Sequence, residues 1–195
     1  MKIMSLKIAV LYGSTRENRQ GIKAAKFVVN ELVDSGHSPT LVDVLDYDIP
    51  FLNKMHKEFT PGDAPAWMET ISKIFDDADA FVIVSGEYNH SIPPALKNLM
   101  DHFQKEYQFK PSGIACYSAG PFGGVRVAMH LRAVLCELGM PSIPVIFPIS
   151  AVHKAFDDEG NAADETYPKR IKRFIDELAW YGEALKKQRI GGVPY

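Results

Sequence analysis

Short apolar runs, many of them β-branched, alternate along the chain with longer segments in which apolar residues recur every three or four positions. The short runs predict five strands, at 6–12, 40–45, 80–84, 113–118 and 143–149. The longer segments predict five helices, and the first of them carries Ala25, Val28, Val29 and Leu32 on one face. This alternation is typical of a parallel sheet covered by helices on both sides.

The loops that follow the first, third and fourth predicted strands are the richest in Gly, Ser, Asn and Arg. In the strand order 2-1-3-4-5 the winding reverses between strands one and three, which places these three loops at one edge of the sheet. Pro144 and Pro148 in the fifth run favour an edge strand. We therefore predict one α/β domain over residues 1–195, a three-layer sandwich with a five-stranded parallel sheet in that order.

One segment does not follow the alternation. Residues 46–65 are irregular, contain Pro50, Pro61 and Pro65, and are longer than a simple connection. The segment is either a lid or a subunit contact, and the sequence leaves both open.

Composition excludes several classes of protein. The 195 residues are 46% hydrophobic with a net charge of -2, which gives no general attraction to nucleic acid or to an anionic membrane. No apolar run approaches the roughly 20 residues of a spanning helix, and the segment before the first strand is too short for a signal peptide. Cys116 and Cys136 lie in apolar contexts and are expected to be buried free thiols, which fits a cytoplasmic protein.

The loop after the first strand has the chemistry of a phosphate site. Ser14, Thr15, Arg16 and Gln20 offer polar donors and a positive charge, and Gly21 and Ile22 add backbone N–H groups at the start of a helix. The G-x-G-x-x-G and G-x-x-x-x-G-K-[ST] patterns are absent, so a phosphate monoester suits the loop better than a pyrophosphate or triphosphate. An ordinary polar turn with a solvated arginine explains the loop alone equally well.

Two further loops have open interpretations. Residues 85–93 place an aromatic ring, an amide and hydroxyls between a buried strand and a helix that begins near Pro93 and Pro94. Residues 118–124 hold three glycines, which allow a backbone to approach a ligand closely, although a tight turn is the simpler explanation.

Taken together, the three loops resemble the NADPH-dependent FMN reductase family. The resemblance covers residues 6–150 and rests on Gly-Ser-Thr-Arg at 13–16, on Glu-Tyr-Asn-His-Ser-Ile-Pro at 87–93, and on Ser118 with its following glycines. One departure is Gly86, where the family usually has proline, and it puts the rigidity of the middle loop in doubt.

The resemblance implies a flavodoxin-like fold and non-covalently bound FMN. By resemblance, the FMN phosphate is bound by Ser14, Arg16, Gln20, Gly21 and Ile22; the isoalloxazine and ribityl chain by Glu87, Tyr88, Asn89 and Ser91; and the pyrimidine side by Ser118, Gly120, Gly123 and Gly124. It also implies a homodimer or homotetramer in which a neighbouring subunit helps to enclose the flavin.

The expected activity is ping-pong hydride transfer from NADPH or NADH to FMN and on to a small acceptor, such as a quinone, an azo compound, a free flavin or chromate. No side chain is predicted to act as an acid, base or nucleophile, and no metal site is predicted. Two alternatives stay open. One is a flavodoxin-like FMN electron carrier without nicotinamide turnover, and the other is a binding protein that has lost the flavin.

Overall fold

The computed structural model describes residues 4–195, and residues 1–3 of the predicted domain and N-terminal segment lie outside the described part. All five strands form one parallel sheet in the order β2-β1-β3-β4-β5, so the predicted strand order is confirmed. The strands are β1 (Lys7–Tyr12), β2 (Ser38–Asp43), β3 (Ala80–Gly86), β4 (Ser112–Tyr117) and β5 (Ser142–Ile149). As its prolines predicted, β5 is an edge strand.

Helices cover both faces of the sheet. They are α1 (Gly21–Asp34), α2 (Ala66–Asp77), α3 (Pro94–Asp101), α4 (Val125–Glu137), α5 (Val152–Ala155) and α6 (Thr166–Ile190). Short 3-10 turns occur at Val44–Asp46, His56–Glu58 and Lys105–Tyr107. Within residues 4–195, no helix has both the length and the apolar composition needed to cross a membrane.

The sheet separates two apolar cores. On one face α1, α5 and α6 pack through residues such as Phe27, Phe156 and Phe174, while on the other α2, α3 and α4 pack through residues such as Phe75 and Leu99. Every residue of β3 is buried, because this strand lies between β1 and β4 and has helices on both faces. Strands buried on both faces explain the continuous apolar runs of the sequence.

The second strand differs from its prediction, 40–45. It begins at Ser38 and ends at Asp43, because the Asp43 carboxylate accepts a hydrogen bond from the N–H of Leu45 and starts a 3-10 turn. Leu45 is exposed, so its apolar side chain gives no evidence of a buried strand.

Three smaller expectations also change. The structure has six α-helices in its described part rather than five, because the short α5 follows β5. The segment 46–65 contains a helical turn and is held against α3 by Asn98, whose side chain bonds the backbone of Pro50 and Leu52. Both cysteines are free, and Cys116 is buried as predicted, but Cys136 is exposed on α4.

Candidate functional site

The loops after β1, β3 and β4 meet at the carboxyl edge of the sheet and enclose a cleft of about 610 Å³ with the segment that follows β5. Ligand sites in open α/β sheets lie at this edge, where the strand order reverses. The cleft is lined by Ser14, Arg16, Glu17, Asn18, Arg19, Gln20, Gly21, Gly86, Glu87, Tyr88, Tyr117, Ser118, Ala119, Val152 and His153.

One end of the cleft is built for an anion. In the described part of the chain, none of the backbone N–H groups from 15 to 21 donates a hydrogen bond, and these groups stand at the N-terminus of α1. The positive end of the helix dipole favours a negative ligand there. Arg16 lines this end, is exposed, and has no ion pair within residues 4–195.

The second arginine of the loop is already bound. Arg19 donates to the Asp43 carboxylate over 2.5 Å and to the carbonyl of Ser14 over 3.2 Å, and its guanidinium lies 5.3 Å from the centre of the Tyr12 ring. These contacts hold the loop against the end of β2. Arg19 therefore shapes the anion site, and Arg16 is the cation left to contact an anion.

Tyr117 lies at the bottom of the cleft. A methyl group on Gly21 would lie 2.1 Å from Cζ of Tyr117, and one on Gly86 would lie 3.0 Å from the same atom. The ring therefore fills the space that both glycines leave free, between the start of α1 and the end of β3. Burial raises the pKa of the Tyr117 hydroxyl, so the group stays protonated and can donate a hydrogen bond.

The loop after β3 is a tight two-residue hairpin. Tyr88 and Ser91 exchange two backbone hydrogen bonds of 3.0 and 2.9 Å, and between them Asn89 and His90 have φ values of 48° and 66°. Two consecutive positive φ values are typical of a type I′ turn, in which asparagine is favoured at the first position. The turn brings Tyr88 to the cleft, where its hydroxyl lies 3.0 Å from Oγ of Ser14.

Glu87 connects this hairpin to α4. Its carboxylate accepts hydrogen bonds from the N–H groups of Arg126 (3.0 Å) and Val127 (3.3 Å), and it lies 3.5 Å from the Arg126 guanidinium. The carboxylate thus satisfies donors in the first turn of a helix and suits its dipole. Glu87 therefore lines the cleft, while its carboxylate is hydrogen-bonded to the start of α4.

The loop after β4 is hydrogen-bonded to the segment that follows β5. Ser118 donates from Oγ to the carbonyl of Gly120, while the N–H groups of Ala151 and Val152 donate back to the carbonyls of Gly120 and Ser118. Gly123 and Gly124 have φ values of 64° and 76° and lead directly into α4. The segment that starts α5 is therefore fixed to the glycine loop and presents His153 to the cleft.

The predicted site residues fall into two groups. Seven line the cleft: Ser14, Arg16, Gln20, Gly21, Glu87, Tyr88 and Ser118. Six stand in or beside the same loops without lining it: Ile22, Asn89, Ser91, Gly120, Gly123 and Gly124. Of these, Ile22 packs against the core, and Ser91 Oγ lies 3.0 Å from Nδ1 of His130 on α4.

Eight residues that line the cleft were not predicted as site residues: Glu17, Asn18, Arg19, Gly86, Tyr117, Ala119, Val152 and His153. Tyr117 directly precedes the predicted Ser118 at a strand end, which is a usable signal, and Arg19 lies inside the predicted phosphate loop. Val152 and His153 follow the fifth strand, and the sequence around them contains no motif that indicates a ligand site.

The arrangement can bind a phosphate at one end and a flat group at the other. Tyr88 and Tyr117 supply aromatic surface, and Gly86 has no side chain to block it. Tyr12 is the last residue of β1, directly before the loop that contains Arg16. Its hydroxyl is buried and has no hydrogen-bond partner in the described residues. The donors of the cleft can bind and orient a ligand. Among the described residues, Ser14 bonds Tyr88 and Ser118 bonds a backbone carbonyl, so neither serine of the lining is hydrogen-bonded to His153.

The chain is similar in sequence to known proteins. Residues 6–154 match the family described as NADPH-dependent FMN reductase. A quinone reductase of Pseudomonas putida is 30% identical over 179 residues, covering 88% of this chain and 92% of that protein. An NAD(P)H:quinone oxidoreductase of Solanum tuberosum is 32% identical over 190 residues, covering 93% and 94%.

A solved structure shares the fold. The flavoenzyme FerB of Paracoccus denitrificans, described as an NAD(P)H:(acceptor) oxidoreductase, superposes with a TM-score of 0.75 at 22% identity, covering 92% of this chain and 98% of that one.

Proposed function

The chain belongs to the NADPH-dependent FMN reductase family and is an FMN-dependent NAD(P)H oxidoreductase, and we propose that it works by ping-pong hydride transfer with a quinone as acceptor. The observation that supports the proposal most directly is that one end of an aromatic cleft is lined by Arg16, which makes no ion pair within residues 4–195. The N–H groups before α1 at the same end donate no hydrogen bond within those residues. This is the combination that a flavin mononucleotide requires.

The anion end fits the FMN phosphate. The phosphate monoester carries close to two negative charges near neutral pH, which suits one guanidinium together with several backbone donors. Arg16, Gln20 and the N–H groups up to Gly21 would hold it, and Ser14 would contact its oxygens or the adjoining ribityl chain. Ile22 would not contact the phosphate, because its N–H donates to the carbonyl of Arg19 over 3.4 Å and its side chain packs against the core.

The rest of the cleft fits the isoalloxazine ring. From the phosphate end the cleft continues along Gly86, Tyr88, Tyr117 and Ser118, and its volume lies within the range of cofactor pockets. Asn89, Ser91 and the glycines at 120, 123 and 124 would set the shape of the hairpin and loop around the ring. Glu87 would act through α4, because its carboxylate is already hydrogen-bonded there.

When bound, FMN supplies the redox chemistry, because it accepts a hydride from a nicotinamide and passes two electrons on. The chain's own residues would orient the ring along the cleft. No protein group would need to take a proton at the reacting atoms. If both substrates used the same exposed face of the ring, the nicotinamide would have to leave before the acceptor entered.

The acceptor is proposed from the relatives. Both curated relatives described above are named for quinone reduction, and a flat quinone can stack on an open flavin face. Azo compounds, free flavins and chromate are alternative acceptors for the same face.

A flavodoxin-like electron carrier is the second candidate. It would bind FMN in the same cleft but would not turn over a nicotinamide. Electron carriers of this kind tend to be strongly acidic, whereas this chain has a net charge of -2, and its family is one of reductases.

One experiment separates the candidates. Purified protein is loaded with FMN and mixed anaerobically with NADPH or NADH while flavin absorbance is followed. We expect rapid bleaching of the flavin by at least one nicotinamide, and return of its absorbance when a benzoquinone is added. Steady-state rates at several benzoquinone concentrations should give parallel lines when their reciprocals are plotted against the reciprocal of the nicotinamide concentration. Absence of FMN binding would reject the function, and FMN binding without bleaching would favour the carrier.

We also propose that the chain is a cytoplasmic homodimer or homotetramer. Phe51 and Leu52 are exposed beside α3, Phe122 is exposed just before α4, and Met129 is exposed on α4. A second copy would cover them. The free thiols of Cys116 and Cys136 suit a reducing compartment. Light scattering after gel filtration measures the assembly, and a monomer at all concentrations would contradict it.

A further inference from the structure

The ring end of the cleft carries one buried negative charge. The Glu87 side chain is 9% exposed and lines the cleft, whereas its partner Arg126 is 41% exposed and does not line it. The carboxylate also binds the first-turn N–H groups of α4. The local charges are therefore a desolvated anion that lines the cleft, balanced by a solvated cation and by the N-terminus of α4.

This balance acts on the redox equilibrium of the bound ring. Reduction of FMN by a hydride adds two electrons and one proton, so the ring gains one negative charge, while NAD(P)H becomes NAD(P)⁺. With the phosphate held at Arg16, as proposed above, the ring would lie along the part of the cleft that includes Glu87. A fixed negative charge there disfavours the reduced state, and a positive charge favours it.

We propose that the Glu87–Arg126 pair sets the midpoint potential of FMN, with Glu87 lowering the potential and Arg126 raising it. The inference rests on the proposed function. It assigns the glutamate an electrostatic effect on the ring, exerted by its charge at the cleft, instead of a direct hydrogen bond to the flavin. A lower potential makes reduced FMN a stronger donor to the acceptor, which is the second half of the reaction.

The two members of the pair are predicted to have opposite effects, which a structural role would not produce. Glu87→Gln keeps the shape of the side chain and an oxygen that can accept from the Arg126 N–H, but it removes the charge. We expect the ratio of reduced to oxidised FMN at a given potential to rise about tenfold, which corresponds to about 30 mV for a two-electron couple. Arg126→Gln should lower the ratio by about threefold, a smaller change because solvent screens this side chain.

The measurement is a spectroscopic redox titration of FMN-loaded protein against a reference dye. The dissociation constants of oxidised and reduced FMN, measured separately, must change in the same ratio as the potential. Asp101→Asn is the matched control, because Asp101 is a carboxylate paired with Lys97 on α3 and does not line the cleft. We expect the control to leave the potential unchanged.

The outcomes separate the two proposals. Failure of the unmodified chain to bind FMN would overturn both this inference and the proposed function. FMN binding with equal potentials in the unmodified chain, Glu87→Gln and Arg126→Gln would overturn this inference alone. Shifts of the same sign in both variants would also overturn it, because they would indicate a loosened loop rather than a charge effect. Opposite shifts with an unchanged control would support it.

Discussion

At the scale of single residues, the two arginines of the first loop have the same chemistry but different surroundings. Arg19 is part-buried and is committed to Asp43 and to a backbone carbonyl, so its charge is neutralised within the loop. Arg16 is exposed and lines the cleft without an ion pair in residues 4–195. Only Arg16 retains a full charge to attract a phosphate.

Arg16→Ala should therefore weaken FMN binding by removing one charge-assisted contact, which contributes roughly 1.5–3 kcal/mol. We expect the dissociation constant of FMN to rise about 10- to 100-fold in a fluorescence titration. The constant for riboflavin, which lacks the phosphate, should stay unchanged. Arg173→Ala, an exposed arginine on α6, is the control. Equal losses for FMN and riboflavin would mean that Arg16 supports the loop instead of binding phosphate.

At the scale of elements, the cleft depends on how closely α1 approaches the end of β4. The ring of Tyr117 occupies the space next to Cα of Gly21 and also contacts the position of Gly86. A proline or any larger residue at 86 would need this ring to move. Gly86 therefore leaves room for the Tyr117 ring, which packs against the backbone where the hairpin begins.

Gly21→Ala tests this packing with a clear sign. Helix propensity alone predicts a gain in stability of up to about 1 kcal/mol, whereas overpacking against Tyr117 predicts a loss of about 1–3 kcal/mol. We expect the loss, measured by urea unfolding. In a Tyr117→Leu background the same change should cost less, since the atoms that clash are absent.

Gly120→Ala serves as the control for that series, because no atom lies within 4 Å of the added methyl group. It should change the free energy of unfolding little. If Gly21→Ala raises the free energy of unfolding, or lowers it equally in both backgrounds, the Tyr117 ring is not the reason that position 21 requires glycine.

At the scale of the whole molecule, a buried lysine ties one helix to the sheet. Lys110 precedes β4, is 8% exposed, and donates from Nζ to the carbonyls of Phe75 (2.7 Å) and Asp76 (2.9 Å) in the last turn of α2. Burial lowers its pKa from 10.5 to about 8. Below pH 8 the lysine is protonated in both the folded and the unfolded chain.

Between about pH 8 and 10.5 the unfolded chain holds a proton that the folded chain has lost. The free energy of unfolding should therefore gain a positive contribution as pH rises through this window, up to about 1.4 kcal/mol per pH unit. Urea unfolding at pH 7.5 to 9.5 measures it. Lys110→Met should lose this contribution, whereas Lys172→Met, an exposed lysine on α6, should keep it. Parallel pH profiles for the unmodified chain and Lys110→Met would contradict the assignment.

Much of the fold follows from local patterns. The buried strands are readable because β3 and β4 are apolar along their whole length, and the strand order follows from the three polar loops that share an edge. The end of β2 was misplaced because Leu45 is apolar but exposed, and the turn at Asp43 depends on a side-chain cap. Cys136 was misjudged for a related reason, since an apolar neighbourhood in sequence does not fix which face of a helix is buried.

The fold class and the positions of the three loops can be read from the sequence alone, because strand and helix periodicity and loop composition are properties of neighbouring residues. The family is indicated by the resemblance of the motifs in those loops. How the loops work depends on the folded structure. It placed Tyr117 on the floor of the cleft, turned the Glu87 carboxylate toward α4, and separated Arg16 from Arg19. Each of these depends on a contact between residues far apart in the chain, where backbone direction and packing determine which atoms meet.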